Sequence, residues 1–439
     1  MMKAKLLPLY FREGKDEEFD TQLEALKLML ADVAEFEYPI AVGEQLPDVD
    51  AVIFPQLIGE AYKVIKELKK IDIPVLAVTS EFGTVAMWDW EIVTYLKANG
   101  INTYAPYNLE LTKKLCKTLA MKRSLQGSKF LVFQDDPGEG MQASIFKRFY
   151  WWEDECAKRM LDKFGISVVK KSFKVLGEEA KKITDEEAQE AWNIRKCEAQ
   201  GVCSNKILSA MKMYVVIKKE VEKDNSIIGA GINCLNESFY SDTTPCLAWN
   251  LLFEEKELMW ACEADTMSLL TKYIIYKSLG TPLMMTNLYP FLMGMAALKH
   301  ERIDAFPEVD EPENHILVAH CGYFGLIPKC FSSSWALKDK VLGIVDENAT
   351  AIDGRMAEGD VTLIQMHPTL EKMLVIEGDL EGYQQYPKSD CRNGGVIKVS
   401  NGYKMMDKLY SHHAILVKGK ISKDIYYVTK ILGIDMEQC

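Results

Sequence analysis

Glu263 and Asp265 flank a single alanine in "CEADTMSLL", directly after the apolar run "LMWAC" and directly before a helix-like pattern. A helix N-terminus favours negative charge and needs acceptors for its free N–H groups, so Asp265 reads as an N-cap as readily as a site residue. Glu263 follows residues expected to be buried, where an unpaired carboxylate is costly. Further on, at 287 − 263 = 24 positions, the run "PLMMTN" stops at Asn287. That residue is either a strand-end turn residue or a neutral oxygen ligand for a cation. Of the six histidines, His320 lies inside "HILVAHC" and the pair His412–His413 opens the strand-like "AILVKG". Alternation along a strand would send the two rings of that pair to opposite faces. A lone His320 fits a hydrogen-bonded core residue as well as a ligand, while His300 and His315 are expected to be solvated and His367 to sit in a loop. Together Glu263, Asn287, His320 and His413 offer oxygen and imidazole donors, which suit Mn²⁺ or a similar divalent ion better than thiolate-bound zinc.

Other chemistries find little support. The net charge is −12, without the basic stripe of a nucleic-acid binder. The chain has no apolar run of roughly 18 residues, so no membrane span is expected. Its 11 cysteines include no C-x-x-C pair, a pattern of reduced thiols in the cytoplasm. No G-x-S-x-G elbow, H-E-x-x-H pair or kinase set is present. The loop "DDPGEGMQ" could bind an anion or a sugar hydroxyl through backbone N–H groups, but it carries no nucleotide signature.

The elements that must position these residues fall into three stretches. From residue 1 to about 108, "KAKLLPLYF", "AVIFPQ" and "IPVLAVTS" alternate with amphipathic helices, which predicts a parallel sheet covered on both faces. From 109 to 280, "KFLVFQDD", "ISVVKKSFKV" and "SIIGAGINCL" form a second α/β unit of the same Rossmann-like kind. From 281 to 439, short strand-like runs separated by turn residues predict a mostly antiparallel, barrel-like β domain.

The opening stretch now resembles a known family. "EAD", "LT" at 270–271, "GTP" at 280–282 and the strand end at Asn287 are similar to the L-fucose isomerase family. "SHHAILVKGKISKDIYYVTKILGI" resembles that family's last segment. "ILVAHCGYFGLIPKC" is similar to a segment of the related L-arabinose isomerases. The resemblance implies that Glu263 is both a metal ligand and a catalytic group, and that His413, with His320 in addition, binds Mn²⁺. It places the second catalytic acid at position 287, where this chain has Asn287. "AMWDWE" resembles a segment that reaches a neighbouring subunit's site and would recruit Trp88 to the substrate, which Glu237 and Asp265 would also contact. For the missing acid, Asp265, Glu237 or His320 could substitute, or Glu263 could work alone with a metal-bound water.

The implied activity is interconversion of a free aldose and ketose by a cytoplasmic homo-oligomer, a hexamer by resemblance. Such isomerisation moves a proton between C1 and C2 through an enediol, while a metal ion holds the two substrate oxygens. Two titratable groups are usually needed, and Asn287 can ligate but cannot titrate. A sugar-binding or regulatory homologue without turnover is therefore the alternative.

Overall fold

Adjacent residues of the first strands enter different cores, as expected of a sheet covered on both sides. Leu6, Ile53 and Leu76 pack with Leu111, Leu115 and Leu119 of the helix Leu109–Leu125, and with Ile431. Their neighbours Leu7, Val52, Phe54 and Val75 pack with Ile92, Val93 and Leu96 of the helix Trp90–Ala98. The computed structural model describes residues 2–11, 15, 17–135, 149–233, 241–298, 305–320, 332–339, 348–384 and 392–439, without the side chains of His320, Arg392 and Asn393. The first sheet comprises β1 (Ala4–Tyr10), β2 (Ala34–Phe36), β3 (Ile40–Ala41), β4 (Ala51–Phe54), β5 (Val75–Ala77) and β6 (Thr103–Tyr104). All its pairings are parallel, in the order β2-β1-β4-β5-β6, with β3 also on β1.

The second sheet comprises β7 (Lys129–Phe133), β8 (Ser167–Lys171), β9 (Ile227–Ile232) and β10 (Met259–Cys262), parallel in the order β10-β9-β7-β8. β10 is buried along its whole length, which explains why its sequence is continuously apolar.

After the helix Thr266–Leu279 come β11 (Leu283–Pro290), β12 (His315–His320), β13 (Ser332–Asp339), β14 (Thr350–Met356), β15 (Gly359–Met366), β16 (Lys372–Gln384), β17 (Arg392–Val399), β18 (His413–Lys418) and β19 (Asp435–Gln438). Six of them run antiparallel in the order β15-β18-β11-β12-β17-β16, and the β15–β16 pairing closes the ring into a barrel. β19 adds in parallel to β16, and β13 pairs with β14 separately. The architecture is thus two parallel α/β sheets followed by an antiparallel barrel, the fold class read from the sequence.

The chain divides into two compact units. The first holds Met1–Gln126, Lys277–Leu279 and Tyr426–Gly433, and the second holds Gly127–Tyr276, Gly280–Ile425 and Ile434–Cys439. The second parallel sheet and the barrel therefore share one unit, and the helix Leu109–Leu125 packs with the first sheet. Among the described residues no helix is long and apolar enough to cross a membrane, and the seven described cysteines are free thiols.

Candidate metal centre

Strand β10 ends at Cys262, and the chain then turns through Glu263 and Ala264 at φ 53° and 51°. Two of the five non-glycine residues with positive φ among the described residues are adjacent here. L-residues resist this conformation at roughly 1–2 kcal/mol each. What holds the turn is visible around it. Trp151 and Trp152 donate their indole N–H groups to the Glu263 carbonyl at 3.2 and 2.7 Å. Ala264 N donates to Ile232 O at 2.9 Å. The turn presses on Gly231, where a Cβ would lie 3.1 Å from Ala261 O and 3.2 Å from Ala264 Cα, so a side chain there would crowd the turn.

One residue later Asp265 caps the helix Thr266–Leu279, accepting from Met267 N and Ser268 N on Oδ1. Its Oδ2 accepts from Ser268 Oγ at 2.7 Å and pairs with His413 Nδ1 at 2.8 Å. Both carboxylate oxygens are engaged, so Asp265 serves as cap and as partner of His413, with no oxygen left over for a substrate. Burial pushes its carboxyl up to about 6, against the opposing hydrogen bonds from Ser268.

The second arm comes from the barrel. Gln365 on β15 donates to Ser411 O and His413 O and accepts from Tyr410 N, fixing the turn that enters β18. Leu288 N on β11 donates to His412 O at 2.8 Å. His413 opens β18 fully buried, whereas His412 lies in the preceding bend with its side chain 38% exposed. The alternation rule expected from the sequence does not govern the pair, because only His413 is in the strand. Their ring centroids are 4.0 Å apart, and each Nε2 lies 3.6 Å from Glu263 Oε2.

Burial drives the His413 imidazole down to about 3, with His412 adding to the effect and Glu263 opposing it. His413 is therefore neutral near pH 7. Its Nδ1 proton goes to Asp265, which leaves the Nε2 lone pair directed toward Glu263. Burial resists ionisation of Glu263, but His413 and His412 outweigh it and hold the carboxyl below its ordinary value. Trp151 walls the group with ring centroids 5.3 Å from His413 and 5.9 Å from His412, and Phe149 lies 5.5 Å from His412.

Asn287 is the cross-strand partner of His413 in the β11–β18 ladder and so shares its face of the barrel. Its Nδ2 donates to Tyr289 Oη at 3.0 Å, while its buried Oδ1 has no donor among the described residues. Glu263 Oε2 likewise has none. Two buried acceptors without donors beside a neutral imidazole lone pair form a donor set that fits a divalent cation. Glu263, His412 and His413 each offer a ligand atom within 4.8 Å of the others, so this group could hold a metal ion.

The other expected residues are placed differently. His320 ends β12, next to the Ala319 that pairs with Asn287, and its side chain lies outside the described residues. Glu237 also lies outside them, as does most of "DDPGEGMQ". Trp88 belongs to the first unit, in a short turn, and is 75% exposed. His315 is not solvated: it is buried, with Nε2 3.0 Å from Glu381 Oε2 and Nδ1 2.9 Å from Glu311 O. Sequence reasoning missed His412 as a member of the candidate metal group, Gln365 as the brace of the turn and the Trp151–Trp152 clamp. Only the clamp left a signal, the aromatic cluster "FYWW".

No family model matches the chain, and no curated protein matches its sequence.

Proposed function

We propose that this protein is a metal-dependent isomerase that interconverts a free aldose and its ketose. The observation that carries the reading is the Glu263–His412–His413 group, buried at Glu263 and His413, with Asn287, the cross-strand neighbour of His413, offering an oxygen without a donor among the described residues. The resemblance of "EAD", "GTP" and "SHHAILVKG" to the L-fucose isomerase family supports it. A divalent ion such as Mn²⁺, held by Glu263, His413, His412 and Asn287, would polarise adjacent substrate oxygens. The chain's own residues do the rest. Glu263, kept ionised, takes and returns the proton between C1 and C2. Asp265 holds His413 in the ligating tautomer. Trp151 and Phe149 restrict water beside the imidazoles.

A second reading is a sugar-binding homologue without turnover. It is favoured by a particular pair of facts: position 287 cannot titrate, and the nearest spare acid, Asp265, has both oxygens engaged. One experiment separates the two. Mn²⁺-loaded protein is incubated in deuterated water with pentoses, hexoses and 6-deoxyhexoses in aldose and ketose forms, and exchange at C1 and C2 is followed by NMR. Exchange with interconversion supports the isomerase. Binding without exchange across the panel leaves the second reading.

Assembly into a homo-oligomer is part of the proposal. Met87, Trp88 and Trp90 are exposed side by side in the first unit, an apolar surface of the kind that a second copy covers. Light scattering at micromolar concentration should give a mass above that of one chain, and Trp88→Ala should lower it. A monomeric wild type would remove Trp88 from any shared site.

A further inference from the structure

Gln134 and Asn233 follow directly on strands β7 and β9, and both are almost wholly buried. All four polar atoms of the two amides lack a hydrogen-bond partner among the described residues. A buried amide left in this state costs stability, so two side by side call for an explanation. The backbone places them as neighbours: Phe133 pairs with Ile232, and Asn233 N donates to Phe133 O at 3.1 Å. Ile232 in turn pairs with Cys262, so the next residue on the third strand is Glu263. Gln134, Asn233 and Glu263 therefore form one row along the carboxyl edge of a parallel sheet, in steps of roughly 5 Å. That edge is where open α/β sheets bind their ligands.

The chemistry of the row limits what it can take. Each amide both donates and accepts, which matches a hydroxyl group, itself donor and acceptor. Neither amide supplies the charge that a phosphate or carboxylate would require. We infer that Gln134 and Asn233 bind the hydroxyls of an uncharged polyol-like ligand on carbons beyond those at Glu263, and so select which sugar is accepted. This rests on the sugar reading above and extends it to specificity. The amides have no partner among the described residues because their partners arrive with the ligand.

The near-isosteric variants Gln134→Met and Asn233→Leu test this. Calorimetry of Mn²⁺-loaded protein with ribitol, xylitol, arabinitol, glucitol and fucitol identifies the tightest polyol for the wild type. Each variant should bind that polyol at least about 10-fold more weakly, because a ligand hydroxyl is left unpaired. Mn²⁺ affinity should stay within about 2-fold, and the Tm without ligand should be unchanged or higher, because an unpaired amide has been replaced by an apolar group. Equal polyol affinity in wild type and variants would overturn the inference and leave the sugar reading standing. A Tm lower by several degrees, or a variant that does not fold, would also overturn it, since the amides would then be structural. If the metal-loaded wild type binds none of the polyols, the sugar reading fails and the inference fails with it. Polyol binding lost in the variants, alongside no C1 or C2 exchange in the wild type, would keep this subsite and remove only turnover.

Discussion

His413 Nδ1 lies 2.8 Å from Asp265 Oδ2, a bond that joins residues 148 positions apart and ties the first turn of a helix to the first residue of a barrel strand. A carboxylate behind a histidine fixes which ring nitrogen is free to ligate. Asp265→Asn keeps an oxygen for the cap but faces Nδ1 with an amide N–H, which moves the imidazole proton to Nε2. Mn²⁺ affinity should then fall by about 10–100-fold with helix content retained. Titration of both proteins with Mn²⁺ checks this, and unchanged affinity would show that Asp265 is only a cap.

The two histidines should separate in stability but not in metal binding. His413 is fully enclosed and satisfies Asp265, so His413→Ala should cost about 2–3 kcal/mol in denaturant unfolding. His412 is partly solvated, and His412→Ala should cost less than about 1 kcal/mol. Both should weaken Mn²⁺ binding. If only His413→Ala does so, His412 is not a ligand.

Asn287→Asp would place a second charge opposite His413. Mn²⁺ should bind about 10-fold more tightly, with a steeper pH dependence, because the new carboxyl must ionise to ligate. Unchanged affinity together with unchanged affinity in His413→Ala would mean that these residues form no metal site.

How far these residues could be found from sequence follows from the range of the forces that place them. The parallel sheets were legible because burial on both faces writes a local apolar run, as in "AVIF" at β4. The barrel-like character was legible from the short strands and turn spacing, but the partners that close it were not, since the β15–β16 and β11–β18 pairings leave only generic alternation in each strand. Glu263 stood out because a carboxylate after "LMWAC" contradicts its surroundings. Trp151 and Trp152 stand in the aromatic cluster "FYWW", but nothing local says that their N–H groups will meet a carbonyl more than a hundred residues on. His412 was misjudged by one residue of strand boundary, which is enough to reverse which way a ring points.

Lys272 gives a test of stability unrelated to the site. Its Nζ is buried, 2.8 Å from Trp260 O and 3.4 Å from the centre of the Trp260 ring. Burial holds its pKa well below the ordinary lysine value, with Cys262 opposing weakly. The unfolded chain, with an ordinary lysine, binds the proton more readily, so stability should rise with pH up to about 10.4. Lys272→Met should raise stability at pH 7 by about 1–2 kcal/mol and flatten the slope between pH 7 and 9. Denaturant unfolding at three pH values decides it, and a slope that persists in the variant would assign the effect elsewhere.

Ile431 belongs to the apolar core whose other buried members span Ala4 to Ala120, and His413 completes a group begun at Glu263. During synthesis, the first parallel sheet emerges long before the residue that finishes its packing. A nascent chain is thus exposed for most of its translation with one core unsealed and the histidines of its candidate metal group not yet made. Loss of residues 428–439 would remove no side chain of the candidate metal group, yet it would reopen the first core and strip β19 from β16. Premature termination near the end should therefore yield aggregation rather than a shorter working protein.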